Sequence, residues 1–427
     1  MKKLKLLSIA LLTISLHSHA QNMDKTIQES SVRAILSTLA ADDMRGRKAF
    51  TPDIDRAGDF IAAQFKKTGL SHASGQDSFL QKFSVFKTSV QSLNASANNE
   101  KLNPDNIVVV STEPRIHVNQ SSGYTIKNID KGQSLFSKAA TAIHSQHNTI
   151  VMVDSAFAPY FKRLSHFTQN TFKSPYTTIF ILGTQAPSTF DIQLEQTLEE
   201  RKLQNVVGII PGKTRPDEYV IFSGHYDHLG VDPSKSPDSI YNGANDDASG
   251  TTAVIALANY YKKRKDNART LVFAAFTAEE VGGFGSQYFS QQFDPSKVVA
   301  MFNIEMIGTE SKWGRNSAYI TGFEKSDMGA ILQNNLKDSK FQFYPDPYTT
   351  EQLFYRSDNA TLARQGVPAH TISTSKMDNE PNYHQLSDEI STLDITNMTE
   401  IIKSIAVSAQ SIISGKDTPT RVNADAL

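Results

Sequence analysis

Residues 224–250 read GHYDHLGVDPSKSPDSIYNGANDDASG, and they decide the fold. An apolar run, Tyr219-Val220-Ile221-Phe222, comes before them, and an apolar-periodic run over 253–261 follows. The first reads as a buried strand and the second as a helix. Between the two stand His225, Asp227, His228, Asp246 and Asp247. A loop dense in imidazole and carboxylate, hung on a strand end, is where an α/β protein would hold a metal ion.

Outward from this stretch the pattern repeats. Strands are expected at 206–210, 219–223, 271–276, 298–304, 318–321 and 369–373. Helices are expected at 248–264, 286–293, 327–336, 358–365 and 394–414. This alternation predicts an α/β fold: a mostly parallel sheet covered by helices on both faces. Upstream, helices are expected at 30–40 and at 53–68, the second entered at Pro52 and stopped by Gly69, with a strand at 79–86. The character changes over 87–203. There, short apolar runs at 107–110, 150–153 and 179–182 alternate with Ser-, Thr- and Asn-rich loops. That segment reads as an inserted domain or arm, leaving 21–86 and 204–414 as the main domain. His117, His144, His147 and His166 within it have no carboxylate at a useful spacing and read as surface residues. The polar tail, 415–427, is expected to fray.

Composition narrows the chemistry. Apolar residues make up 39% and charged residues 20%, which predicts a packed globule. The net charge of −1 offers no electrostatic case for nucleic acid or an anionic membrane. There is no cysteine, so disulfides, thiolate nucleophiles and cysteine-held zinc are excluded. Any metal must be held by His, Asp and Glu. Residues 1–20 combine a basic start, an apolar core over 6–16 and Ser18-His19-Ala20, the signature of a signal peptide cut after Ala20. Export to the periplasm or the medium is expected, with no membrane segment in the mature chain.

Candidate ligands recur just past the expected strands. His225 follows the strand at 219–223. Glu279 and Glu280, in FTAEEVGGFGS, follow 271–276, and Glu305, in NIEMIG, follows 298–304. His384 lies in PNYHQLSD. Neighbouring parallel strands end on one edge of a sheet, so these side chains can converge although distant in sequence. Each has a plainer reading: adjacent glutamates often mark a solvated helix start, and a lone histidine is usually structural. Their recurrence at strand ends, flanked by glycine, outweighs those readings.

The order GHYDH, NGANDDASG, TAEEVGGFGS, NIEMIG and YHQLSD resembles the M28 family of zinc aminopeptidases. The likeness extends to DDMRGR near the start and to GVPAH at 366–370, and leaves out roughly 87–203. It implies a zinc-exopeptidase α/β/α sandwich holding two zinc ions and acting on peptides. His225, Glu305 and a bridging Asp246 would hold one ion; Glu280, His384 and the same Asp246 would hold the other. Glu279 would be the general base, Asp227 would orient His225, and Tyr383 would help stabilise the oxyanion. A cis peptide after Asp246 is implied too. Two dications against Asp246, Glu280 and Glu305 leave one positive charge, which a bridging hydroxide would balance.

The chain departs from the pattern at Glu305, often aspartate in the family, and at Asn359, where histidine is common. Arg356 is the candidate if a terminal carboxylate, rather than an amine, is recognised. The inserted segment is expected to roof the cleft and set side-chain preference. A single-zinc glutaminyl cyclase, a carboxypeptidase or dipeptidase, and a ligand-less receptor of the same fold are the alternatives.

Overall fold

The computed structural model describes residues 23–183 and 186–427, so the expected signal segment lies outside the described residues. Two units divide the chain: Met1–Lys82 with Leu203–Leu427, and Phe83–Lys202. Both boundaries fall inside long strands, Leu80–Ala97 and Phe190–Ile210.

The first unit is built on a mixed sheet. Its strands are β1 (Phe190–Ile210, from Leu203 onward), β2 (Arg215–His225), β3 (Arg269–Phe276), β4 (Val298–Ile304), β5 (Ser317–Ile320), β6 (Gln342–Pro345) and β7 (Ala369–Ser373). Their order is β6-β5-β7-β4-β2-β3-β1. The four central strands, β7, β4, β2 and β3, run parallel. β1 and β5 pair antiparallel to their inner neighbours. Helices α1 (Glu29–Leu39), α2 (Pro52–Thr68), α3 (Gly250–Arg264) and α4 (Ile395–Ser408) pack on one face. Val220 and Phe222 of β2 point into that layer, while Ile221 joins Val272, Met301 and Leu362 on the other. This is the period-two alternation of a strand buried on both faces.

Register sets the site. Phe222 pairs with Phe273 and with Phe302 on the adjacent strands, and the three rings stack at 5.6 and 4.9 Å. That aromatic rung holds the central strands level. His225 is thereby opposite Phe276, and Asn303 is opposite Ser223. The residues that follow, Glu279 and Glu305, leave the sheet on the same edge as His225.

Several expectations are corrected. The tail expected to fray is tied down. Arg269, fully buried, donates to the carbonyls of Ile412 and Asp417, Arg421 donates to that of Val298, and Val422 is buried. The helix expected over 394–414 ends at Ser408 and resumes as Gln410–Ile413. The strand expected at 79–86 runs on to Ala97, and β6 has no counterpart among the expected strands.

In the second unit a four-stranded sheet takes the order Ile107–Val110, Thr178–Leu182, Thr149–Val153, Thr125–Ile129. One face packs Ile150, Met152, Ile179 and Ile181 against Ile192 and Leu194. The other packs Val151, Val153 and Phe180 against Leu135 and Ala139 of the helix Leu135–Ile143. His117 sits on its surface beside Asp191. Among the described residues, no helix is long and apolar enough to cross a membrane.

Candidate metal centre

His225 closes β2. Its backbone N–H donates to Asp247 Oδ2 at 3.2 Å, and its carbonyl accepts from Thr251 at 2.7 Å. Asp247 Oδ1 also accepts from the backbone of Gly250 at 2.9 Å and of Met306 at 3.2 Å. One buried carboxylate thus ties the ends of β2 and β4 to the start of α3. Gly224 faces the same residue: a Cβ there would stand 2.9 Å from Asp247 Oδ2. The Asp246–Asp247 peptide is cis. Asp388 accepts the N–H groups of Asn245 at 2.8 Å and Asp246 at 3.0 Å, which fixes the other side of the loop.

These anchors bring the expected ligands together. His225, Asp246 and Glu305 form one group of metal-ligating atoms. His225 Nε2 is 3.2 Å from Asp246 Oδ1. On the other side His384 Nε2 is 3.2 Å from Asp246 Oδ2 and 3.2 Å from Glu280 Oε2. The two carboxylate oxygens of Asp246 therefore face two different histidines. His228, given no role from the sequence, completes a second group with Asp246 and Glu280. Tyr383 stacks on His384, ring centres 4.0 Å apart.

Asp227 meets His225 through its backbone. His225 Nδ1 faces the Asp227 backbone carbonyl at 3.2 Å, whereas the carboxylate is 3.8 Å away. The carboxylate instead accepts the N–H groups of Glu279 at 3.0 Å and Glu280 at 3.3 Å. It aims Glu279 and Glu280, while its carbonyl orients the histidine. Beneath the loop, Arg47 is fully buried and donates to four carbonyls, those of Leu39, Tyr226, Asn242 and Gly243.

The site is strongly acidic and poorly solvated. Burial pushes Glu305 and Asp227 up to about 7, although His225 opposes both shifts. Burial also raises Glu279 far above the usual carboxylate range, with Glu305, Asp358 and Glu280 adding to it against His225. For His225, burial works downward, but Asp246, Glu279 and Asp247 outweigh it and raise the proton affinity of the ring. Asp246 and Glu280 push His384 up to about 10.

The donor set fits metal ions. His225 Nε2 and Asp246 Oδ2 are buried yet have no hydrogen-bond partner. They face other donors across gaps of 3.2 Å instead. Ligands about 2.0 Å from a tetrahedral zinc lie about 3.3 Å from one another. Buried carboxylates in excess over cations need positive charge to stay ionised. Imidazole and carboxylate without thiolate suit zinc among the common ions.

Beside Glu305 a pocket of about 410 Å³, counting its open mouth, is lined by Met306, Tyr319, Leu353, Arg356, Met377 and Tyr383 among others. Arg356 is partly engaged there with Glu351 at 3.3 Å.

The sequence profile described as "Peptidase family M28" matches residues 205–409. A "Probable zinc metalloprotease" of Pyrenophora teres f. teres is 36% identical over 108 residues, covering 25% of this chain and 23% of that protein. "Leucine aminopeptidase 1" of Metarhizium robertsii is 26% identical over 213 residues, covering 47% and 52%. The chain thus spans between about a quarter and a half of the length of these curated relatives. In fold it is similar to the solved aminopeptidase from Aneurinibacillus sp. strain AM-1, with a TM-score of 0.54 and 16% identity over 92% of this chain and 95% of that one.

Proposed function

We propose that the chain, whose residues 205–409 match the profile of peptidase family M28, is a zinc-dependent exopeptidase, in the first place an aminopeptidase. The observation that carries this is Asp246, whose two oxygens face His225 and His384 across equal gaps of 3.2 Å. On this reading two zinc ions are held, one by His225, Asp246 and Glu305, the other by Asp246, Glu280 and His384. Zinc supplies a Lewis acid for the scissile carbonyl and makes water acidic enough to ionise near neutral pH.

The chain's own residues do the rest. Glu279, aimed through its N–H by Asp227, accepts a proton from the attacking water and passes it to the leaving amine. Burial and the carboxylates around it raise its proton affinity, which suits a group that must carry a proton between two steps. Burial, together with Asp246, Glu280 and Glu305, raises Tyr383, so its phenol stays protonated and can donate to an oxygen gaining negative charge. The acidic surroundings attract a free α-amino group, which supports action at the N-terminus. The basic, apolar and small-residue order of residues 1–20 supports export after cleavage at Ala20.

Glu279→Gln tests the mechanism. The variant should keep its zinc content and lose about 10²- to 10⁴-fold in turnover on aminoacyl anilides. Near-normal turnover would remove Glu279 from the reaction. The wild type should cleave free-amine substrates and spare N-acetylated ones. Cleavage of N-blocked peptides from the C-terminus would point to a carboxypeptidase, and pyroglutamate from an N-terminal glutamine peptide to a cyclase.

A further inference from the structure

Glu280 lies between two imidazoles, and each takes a different oxygen. His384 Nε2 is 3.2 Å from Oε2. His228 Nδ1 is 2.9 Å from Oε1, at hydrogen-bond distance, and 3.9 Å from Asp246 Oδ2. A carboxylate oxygen only accepts, so Nδ1 carries the proton of this bond. His228 Nε2, on the far side of the ring, is buried and has no hydrogen-bond partner.

The ring has no freedom to do anything else. Its side chain is fully buried, and its backbone N–H donates to the Arg47 carbonyl at 3.3 Å. Gly243 lies against it: a Cβ at that position would stand 2.5 Å from His228 Cγ. The same loop that supplies Asp246 therefore leaves room for this imidazole and holds it in place.

We infer that His228 is a positioning residue for Glu280: its Nδ1–H occupies Oε1, so that Glu280 offers a metal only Oε2, on the side of His384. A glutamate with both oxygens free can swing or chelate, and the second ion would then be held in a different geometry. Fixing a ligand carboxylate from behind is commonly worth about 10- to 100-fold in metal affinity.

This rests on the two-ion reading above, and metal binding rather than activity tests it. The metal-free wild type, His228→Asn and His228→Gln are titrated with zinc by calorimetry, and with cobalt by visible absorption. Asparagine places an N–H where Nδ1–H stands; glutamine carries the same amide one bond too far. The wild type should bind two ions. His228→Asn should bind both within a few-fold of the wild type and keep its cobalt spectrum. His228→Gln should bind the second ion about 10- to 100-fold more weakly, with a changed spectrum and the first ion unaffected. Wild-type binding in His228→Gln would overturn the inference. So would equal weakening in both variants, which would make His228 itself a ligand. A wild type that takes up fewer than two ions would sink the two-ion reading and this role with it. Two ions with unaltered variants would sink the role of His228 alone.

Discussion

His225, Asp246 and Glu305 form one half of the site; Asp246, Glu280 and His384 form the other. The first half is made of scaffold. His225 and Glu305 leave adjacent parallel strands, their backbones bonded to Asp247, Thr251 and Ile372; His225 and Asp246 are shut away from solvent and Glu305 is partly buried beside them. The second half is closed by a loop. His384 has a positive φ of 56°, its side chain is 35% exposed, and its ring is held by Tyr383 stacked on it. One half exists once the sheet has formed, whereas the other needs the loop to arrive. Half-exposed groups on loops contribute little to folding, while buried charged groups contribute a great deal when a partner is removed.

The largest effect should come from the residue both halves share. Asp246→Asn should empty both positions and lower kcat/KM on the order of 10³-fold, read by bound metal and steady-state rates. Loss of one ion only would mean that the halves are independent. Next comes the contrast itself, measured without metal. His225→Ala leaves Asp246 and Glu279 buried without the imidazole they face and should cost about 3 kcal/mol of stability. His384→Ala, at a side chain 35% exposed and screened by solvent, should cost clearly less. Equal shifts in denaturant midpoint would erase the distinction between scaffold and closing loop.

A last effect concerns the sheet beneath both. His370 Nδ1 faces the Thr321 carbonyl at 2.9 Å, and Nε2 faces the Ser326 hydroxyl at 2.7 Å. Burial holds its pKa down to about 4. Below about pH 6.5 the unfolded chain takes up a proton that the folded one refuses, so stability falls as pH drops from 6.5 through 4. The loss should be about 2 kcal/mol at pH 5, and His370→Asn should flatten that slope. It acts on both halves alike and leaves their difference unchanged.

Much of the fold and of the centre is legible in the chain itself. The apolar runs around 219–223, 271–276 and 298–304 mark the parallel strands, and each is followed by a His or Glu side chain of the acidic cluster. Other parts carry no local signal. Glu280 is 52 residues from His228, so nothing near GHYDH reveals their contact. Arg47 bonds only to peptide carbonyls, which look the same whatever the sequence. Asp388 stands within PNYHQLSD, but its acceptor role depends on backbone groups of residues 245 and 246. Adjacency along the chain pairs the carboxylate of Asp227 with His225; in space the turn after β3 is nearer. In the second unit the strand Phe190–Ile210 crosses the charged run Glu199-Glu200-Arg201-Lys202, which hides its alternation.

The grip of Arg47 also frees part of the molecule to change. It clamps the chain at Tyr226 on one side and at Asn242 and Gly243 on the other. Between them Gly230 and Val231 pair with Tyr241 and Ile240, and beyond that short ribbon residues 232–239 turn back at the surface. Because the anchor reads only main chain below this turn, the tip is open to replacement. An engineer who wants to graft an affinity tag or a recognition epitope close to the centre, without retuning it, has a natural splice point there.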